Sequence, residues 1–252
     1  MKILFLGTGT STGVPQIGCH CRVCTSSDPR DKRYRASALV EVDGKHLLID
    51  CGPDFRSQIL NVENPQIDAV LVTHSHYDHV GGFDDLRPFC AIHKLPVYAR
   101  ADVLTDLRNR IPYCFREHLY PGVPTFDMHP LAGEPFEVKG VRVEPLPVMH
   151  YKLPIFGYRI GNLAYITDAK TIPPSTMARL QGIDTLIINA LRFEPHLSHM
   201  NLEETLAVVS QANPRRALLI HESDGIGLHE ATSRLLPQGV ELAYDKEIIR
   251  VP

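Results

Sequence analysis

Side chains that can bind metal ions are concentrated in one short run of the sequence. Three imidazoles and one carboxylate occur within six residues, at His74, His76, Asp78 and His79. Imidazole suits zinc, manganese or iron, and a carboxylate adds the negative charge that a second divalent cation requires. Because a structural loop has no use for so many ligands, this run predicts a metal site.

Four further candidate ligands follow other short apolar segments, where strands are expected to end: His150, Asp168, His199 and His221. A strand holds the residue at its end in a fixed place, so several such residues can meet at one edge of a sheet and bind cations there. Histidines elsewhere are more often surface residues or hydrogen-bonded core residues. On this evidence we assign no metal role to His20, His46, His93, His118, His129, His196 or His229.

Cysteines form a second cluster of candidate ligands. Cys19, Cys21 and Cys24 lie within six residues, too close together to pair comfortably with one another in disulfides. Three thiolates at this spacing predict one structural zinc ion, which fits a reducing cytosol better than disulfides do. The remaining cysteines are typical of ordinary buried or partly buried thiols: Cys51, Cys90 and Cys114.

The glycine-rich segment 7–13 has a superficial likeness to a nucleotide-binding loop. It lacks the Lys-Ser/Thr pair of a P-loop, and its third glycine falls one place late for a dinucleotide-binding fingerprint. We therefore predict no nucleotide cofactor, and expect these glycines to let the backbone turn tightly beneath the metal edge.

Strands and helices are interleaved along the chain. Apolar and β-branched runs predict strands at 3–6, 39–42, 47–49, 69–72, 141–144, 163–166, 185–188 and 217–220. Helical periodicity predicts helices at 102–110, 175–180, 202–211 and 230–236, with capping residues at Ser175 and Asn201. The segment 113–135 has no clear period and is predicted to be a lid or an insertion. This order predicts one layered α/β domain over residues 1–252, with functional residues in loops at strand ends.

Composition narrows the range of partners. With 252 residues, 44% of them apolar, the chain can bury one large core. Its 26 basic and 29 acidic residues leave no broad cationic surface, which disfavours long nucleic acids as obligatory partners. The apolar start is too short for a signal peptide, and nowhere do eighteen apolar residues run together. We expect a cytoplasmic protein without a membrane segment.

Together these motifs resemble the metallo-β-lactamase superfamily, whose His-x-His-x-Asp-His signature stands here at 74–79 after Thr73. Within it the chain is similar to the PhnP-type phosphodiesterases, which open 5-phosphoribosyl 1,2-cyclic phosphate. The resemblance extends over nearly the whole chain. Besides the signature, the segments that carry it are 7–10, 18–24, 48–50, 145–150, 167–168, 199–202 and 219–221.

The resemblance implies an αββα sandwich, with two mixed β-sheets flanked by helices and two divalent metal ions at one edge. The implied ligands are His74, His76 and His150 for the first ion, Asp78, His79 and His221 for the second, and Asp168 between them. Asp50 is either an outer residue that orients a ligand through a hydrogen bond or a turn residue before Gly52. The native metal stays open among manganese, zinc and iron.

The implied activity is hydrolysis of a small phosphodiester, such as a ribosyl cyclic phosphate or a 2′,3′-cyclic nucleotide, by water activated between the two ions. His199 would then protonate the departing sugar oxygen. At the cysteine site, PhnP-type proteins place a histidine three residues after the last metal histidine, whereas this chain has Asp224. The fourth ligand is therefore open among Asp224, His229, His20 and water. A homodimer is implied by the resemblance alone.

Three other activities use the same ligands. A nuclease that matures tRNA ends usually needs a basic arm, and none is apparent in the sequence. A hydrolase of carbon esters, lactones, thioesters or β-lactams would use the same activated water. Members of the superfamily that act in cofactor biosynthesis without hydrolysis also carry a cysteine zinc loop. His199, the Asp168 bridge and the cysteine loop, as the resemblance interprets them, favour the phosphodiesterase over hydrolysis of carbon esters. The complete ligand set argues against a metal-free binding module.

Overall fold

The computed structural model describes residues 1–91 and 93–252. Two seven-stranded β-sheets face each other. The first sheet contains, in spatial order, β14 (Ile248–Arg250), β1 (Lys2–Gly7), β2 (Ser37–Val42), β3 (Lys45–Ile49), β4 (Ala69–Leu71), β5 (Leu95–Arg100) and β6 (Phe126–Leu131). The second contains β13 (Val240–Leu242), β12 (Arg216–Ile220), β11 (Thr185–Asn189), β10 (Leu163–Ile166), β9 (Leu153–Ile160), β8 (Val141–His150) and β7 (Phe136–Val138).

Both sheets are mixed. Strands β3 to β6 pair in parallel, as do β10 to β13, and the other neighbouring strands pair antiparallel. The α-helices of the described residues are α1 (Phe55–Ile59), α2 (Tyr77–Val80), α3 (Ala101–Arg110), α4 (Pro174–Leu180), α5 (Leu202–Ala212) and α6 (His229–Ser233). They flank the two sheets, so the predicted αββα sandwich is confirmed.

The contacts between the two sheets are apolar. Phe5 and Leu47 of the first sheet belong to one cluster with Tyr158, Tyr165 and Leu218 of the second, and each is at most 1% exposed. Two further apolar clusters join the outer faces of the sheets to the helices. Burial on both faces explains why strands such as β11 read as uninterrupted apolar runs.

The strands that carry the candidate ligands end at one edge of the sandwich. β8 and β10 both pair antiparallel with β9, so they run in the same direction. At this edge the sheets are joined by hydrogen bonds: Phe156 N–H donates to Thr73 O at 3.2 Å, and the Tyr158 hydroxyl donates to Val72 O at 2.6 Å. The loops that follow β4, β8, β10 and β12 therefore meet in one place.

The predicted helix boundaries are only partly confirmed. At the start of α5 the Asn201 side chain accepts a hydrogen bond from Glu204 N–H while the Glu204 carboxylate accepts one from Asn201 N–H, so the predicted cap is correct. The predicted cap at Ser175 is wrong, because α4 already begins at Pro174, where the fixed φ of proline suits the first helical position. Helix α6 ends at Ser233, before the predicted 236.

The segment 113–135 is not an insertion throughout. It contains most of the 3₁₀ helix Pro112–Phe115 and the whole of β6, which pairs with β5 at the edge of the first sheet. Because β6 is mostly half-buried or exposed, its apolar residues show no regular period. No helix among the described residues is long and apolar enough to cross a membrane.

Candidate metal centre

Three histidines form the first group of candidate ligands. His74 Nε2 and His76 Nδ1 lie 3.0 Å apart, and the ligand atoms of these residues and His150 all lie within 4.8 Å of one another. His150 Nδ1 lies 2.8 Å from Ser198 O and donates its proton there, which leaves Nε2 as the nitrogen with a free lone pair. The three rings can therefore bind one cation through neutral nitrogens.

Asp78, His79, Asp168 and His221 form the second group, and all four are buried. Both imidazole Nε2 atoms lie near Asp168 Oδ1, that of His79 at 3.3 Å and that of His221 at 3.2 Å. Neither Nε2 atom has a hydrogen-bond partner among the described residues, although both are buried. Buried polar atoms are rarely left unpartnered, so this convergence fits a cation between them.

Asp168 connects the two groups. Its Oδ1 faces the second group, while its Oδ2 lies 3.8 Å from His74 Nε2 in the first. One carboxylate therefore presents an oxygen to each group, which is the arrangement that a ligand shared by two cations requires. The structure brings together all seven residues that the sequence predicts for this site.

Asp50 lies behind both groups of ligands. Its carboxylate accepts hydrogen bonds from Thr73 N–H at 2.8 Å and from the Thr73 hydroxyl at 2.8 Å, and His79 Nδ1 lies 2.7 Å from it. The same hydroxyl lies 3.0 Å from His74 Nδ1 and can accept the proton of that nitrogen. Both rings are thereby held with Nε2 toward the metal site, so the orienting role of Asp50 fits the geometry and the turn role alone does not.

Close backbone packing brings the Asp50 loop against the ligand helix α2. A Cβ atom on Gly52 would lie 2.0 Å from Asp78 O, so only glycine fits at this position. Cys51 N–H also donates to His79 O at 2.7 Å. These contacts place the second group of ligands relative to β3.

Three site residues have a left-handed backbone, with φ of 58° at Asp50, 57° at Asp168 and 56° at His221. Each lies within two residues of the end of a parallel strand. Residues with side chains adopt this conformation at a cost of about 1–3 kcal/mol, and it persists where the surrounding structure holds it. Beyond these turns the side chains of Asp168 and His221 meet that of His79 at the metal centre, and Asp50 contacts His79 from behind it.

Burial and neighbouring charges act on the candidate ligands in opposite directions. Burial lowers the pKa of His74 well below its ordinary value, so the ring is neutral and able to bind a metal. At His79 burial also opposes the charged form, but the carboxylates of Asp78, Asp168 and Asp50 outweigh it and raise the pKa well above its ordinary value. A divalent cation would neutralise this concentration of negative charge.

His199 lies over both groups. Its ring is 4.6 Å from that of His150 and 4.9 Å from that of His221, measured between centroids. Its buried Nδ1 lies 3.7 Å from Asp168 Oδ2 and has no hydrogen-bond partner among the described residues. Burial lowers the pKa of His199 to about 3, so the ring is neutral near physiological pH.

Two residues near the site were not predicted from the sequence. The Thr73 hydroxyl lies between the Asp50 carboxylate and His74 Nδ1 and contacts both. The half-buried ring of His196 lies 5.1 Å from that of His199, measured between centroids. The signal for Thr73 is its place between a strand and the first ligand. For His196 the sequence offers only its His-x-x-His spacing from His199, which is too common to predict a site residue.

The cysteine group is completed by Asp224. Asp224 Oδ2 lies 3.3 Å from Cys21 Sγ and 3.7 Å from Cys19 Sγ, and the ligand atoms of these residues and Cys24 all lie within 4.8 Å of one another. His229 instead has its Nδ1 3.4 Å from Arg33 Nη2. Three sulfurs and a carboxylate oxygen at these distances suit a tetrahedral zinc ion, so the geometry favours Asp224 over the alternative fourth ligands.

We predict that Asp50→Asn weakens binding of the active-site metals about 10–100-fold. An amide has one acceptor oxygen, whereas two donors of Thr73 and one of His79 converge on the carboxylate. Metal affinity can be measured by competition with a chromogenic chelator. The matched control is Asp127→Asn, since Asp127 also pairs with a histidine, His129, but is exposed and lies outside the site. Equal affinities in both variants would exclude the orienting role.

A second prediction concerns the cysteine group. Cys21→Ser removes one of the three thiolates and is expected to lower the zinc content of the folded protein by one equivalent. Cys90→Ser is the control, because Cys90 is half-buried and lies outside the group. Elemental analysis measures the zinc content, and circular dichroism measures whether the variant is folded. A folded Cys21→Ser protein with undiminished zinc would refute the site.

Comparison with known proteins places this geometry in a family. The family model described as "Beta-lactamase superfamily domain" matches residues 45–221. The crystal structure of a new diphosphatase from the PhnP family is 38% identical to this chain, covers 100% of it and 98% of that protein, and superposes with a TM-score of 0.93. Zinc-bound PqqB from Methylobacterium extorquens is 21% identical over 100% of both chains, with a TM-score of 0.81, which shows a shared fold.

A curated relative, the octanoyltransferase of Porphyromonas gingivalis, is 45% identical over 248 residues. The match covers 97% of this chain but 50% of that protein, so the chain spans about half the length of this relative. The family match and the similarity to the PhnP-family structure both cover the residues of the candidate metal centre. The chain therefore belongs to the metallo-β-lactamase superfamily and, within it, to the PhnP family.

Proposed function

We propose that this protein is a dinuclear metal-dependent phosphodiesterase that hydrolyses a small, preferably cyclic, phosphodiester. Substrates of this class are 5-phosphoribosyl 1,2-cyclic phosphate and the 2′,3′-cyclic nucleotides. The observation that carries the proposal is the pair of ligand groups that share Asp168. His199 Nδ1, which has no hydrogen-bond partner in the described part of the chain, lies 3.7 Å from Oδ2 of the same carboxylate. Manganese, zinc and iron all suit this set of nitrogen and oxygen ligands.

The ligands and their outer partners determine what the site can do. When bound, two divalent cations lower the pKa of water so that hydroxide is available near neutral pH, and they neutralise charge on phosphate oxygens. Asp168 would contribute one carboxylate oxygen to each of the two ions, because Oδ2 faces the first ligand group and Oδ1 the second. Asp50 holds His79, and through Thr73 also His74, in the tautomer that binds metal. Residues of both sheets thus keep the site rigid during the reaction.

His199 is proposed to donate the proton that the departing sugar oxygen requires. Burial holds its pKa to about 3, which by itself disfavours the protonated ring. We expect an anionic phosphate beside the ring to raise that pKa, since a nearby negative charge favours the imidazolium ion. The buried Nδ1, 3.7 Å from Asp168 Oδ2, is placed to contact a phosphate group held between the two ligand groups.

Acyl transfer is a second candidate function. It is favoured by the 45% identity to the octanoyltransferase, but the match covers only half of that protein. Attack of the same hydroxide on a thioester carbonyl would break the C–S bond and release a carboxylate and a thiol, so this site would support cleavage of an acyl thioester with water as the acceptor. The PhnP-family structure is described as a diphosphatase, so diphosphates are a third class of substrate to test.

A substrate panel separates these activities. The protein loaded with manganese or zinc is assayed with bis-p-nitrophenyl phosphate, a 2′,3′-cyclic nucleotide, a nucleoside diphosphate, a lactone and an octanoyl thioester. We expect the phosphodiesters to give the largest kcat/KM and a chelator to abolish it. Faster turnover of the thioester, the lactone or the diphosphate would overturn the proposal in favour of that class.

The same panel tests His199. A general acid contributes about 10²–10⁴-fold, mainly where the leaving group is a poor one. His199→Ala is therefore expected to lose most turnover of the cyclic nucleotide and little of the p-nitrophenyl ester, while both metals are kept. His129→Ala, at a half-buried histidine outside the site, serves as the control. Unchanged turnover of the cyclic nucleotide would remove His199 from the mechanism.

A further inference from the structure

A buried ion pair lies directly behind the candidate metal ligand His221. Arg33 Nη1 contacts Glu222 Oε2, and the two side chains are 2% and 0% exposed. Taking two charges out of water is costly, so a buried pair contributes little to stability compared with apolar side chains of the same size. Its position next to a metal ligand indicates that it acts on the geometry of that ligand.

Arg33 connects several segments that are distant in the sequence. Its Nη1 donates to Thr8 Oγ1 at 2.8 Å and to Ala243 O at 2.6 Å, while Nη2 lies 3.4 Å from His229 Nδ1. Thr8 is itself held by Asp245, whose Oδ1 accepts from the Thr8 backbone N–H at 2.9 Å and from its hydroxyl at 2.8 Å. A planar guanidinium with donors at set angles can hold all these groups at once, whereas a lysine ammonium cannot.

The backbone at His221 needs such support. Its φ of 56° is in the left-handed region, which residues with side chains adopt only where the surroundings hold them. The next residue is bound on both sides by the glycine-rich segment: Glu222 N–H donates to Thr8 O at 3.1 Å, and Thr10 N–H donates to Glu222 O at 3.0 Å. The contact of the Glu222 side chain with Arg33 adds a third restraint.

We infer that Arg33 is a positioning residue for His221. Through Glu222 and Thr8 it holds the left-handed turn that directs the His221 ring to the second cation, although Arg33 contacts neither the cation nor the substrate. The inference rests on the two-cation site of the proposed function, but not on the identity of the substrate. Loss of Arg33 should lower the affinity for the second cation, which Asp78 and His79 also bind, and leave the affinity for the first cation unchanged.

The test measures binding of cobalt to each half of the site. Protein loaded with Co²⁺ is titrated with a chelator; the charge-transfer bands of thiolate-bound cobalt identify the ion of the cysteine group, and the d–d absorption bands follow loss of the two other ions. In Arg33→Lys we expect the ion that is also lost first in His221→Ala, a change within the second ligand group, to be lost at about tenfold lower chelator concentration, as for other outer partners of metal ligands. The other ion should be lost at a chelator concentration within twofold of that for the wild type, a selectivity that a general loss of stability would not produce.

Two further variants keep the test decisive. Arg33→Met combined with Glu222→Gln removes both charges, so it avoids leaving one of them buried alone, and it should show the same selective loss. Arg179→Lys is the control, because Arg179 forms a half-buried pair with Glu144 away from the metal edge. Unchanged binding of both ions, equal weakening of both, or a wild-type protein that holds a single ion would overturn the inference. A protein that shows the selective loss but no phosphodiesterase activity would contradict only the proposed function.

Discussion

The Asp50 carboxylate determines which ring nitrogen of two candidate ligands, His74 and His79, faces the metal site. A histidine binds a cation through one nitrogen only if the other nitrogen holds the proton, so the partner of that second nitrogen decides the direction of the ring. Asp50 provides this partner directly for His79 and through the Thr73 hydroxyl for His74. Since these two histidines belong to different ligand groups, one fully buried carboxylate orients residues of both groups.

The fold brings ligands from distant parts of the sequence close to Asp50. The seven ligands come from four separate stretches of the chain and from both sheets, and their side chains must converge to within a few ångströms. Left-handed turns at strand ends achieve this at Asp168 and His221, and one hydrogen bond, from Phe156 N–H to Thr73 O, joins the sheets beside the ligands. The concentration of buried carboxylates is unfavourable for the folded protein unless cations compensate it, which couples metal binding to folding.

Several features of the site could be predicted because they are local in sequence. The ligands at 74–79, and those at or just beyond the ends of β8, β10 and β12, come after apolar runs whose strands end at one edge. Asp224 was placed by its spacing from His221, but the choice between Asp224 and His229 required the structure, since only the folded chain shows that His229 faces Arg33 instead of the cysteines.

Other features depend on contacts between distant segments, and no sequence pattern marks them. Arg33 and Glu222 are separated by most of the chain, and any of the 26 basic residues could have paired with any of the 29 acidic ones. The edge strand β6 was missed for a similar reason, because its pairing with β5 holds it in place and its own apolar pattern is weak. The cap at Ser175 failed because a proline one residue earlier had already begun the helix.

The central claim is that seven side chains surround a pair of cations at one edge of the sandwich. Anomalous diffraction from crystals of the metal-loaded protein, measured at the absorption edge of the metal, tests this most directly. The account predicts two peaks about 3.5–4 Å apart, one among His74, His76 and His150 and the other among Asp78, His79 and His221, with Asp168 between them. A single peak, or peaks away from these residues, would contradict it.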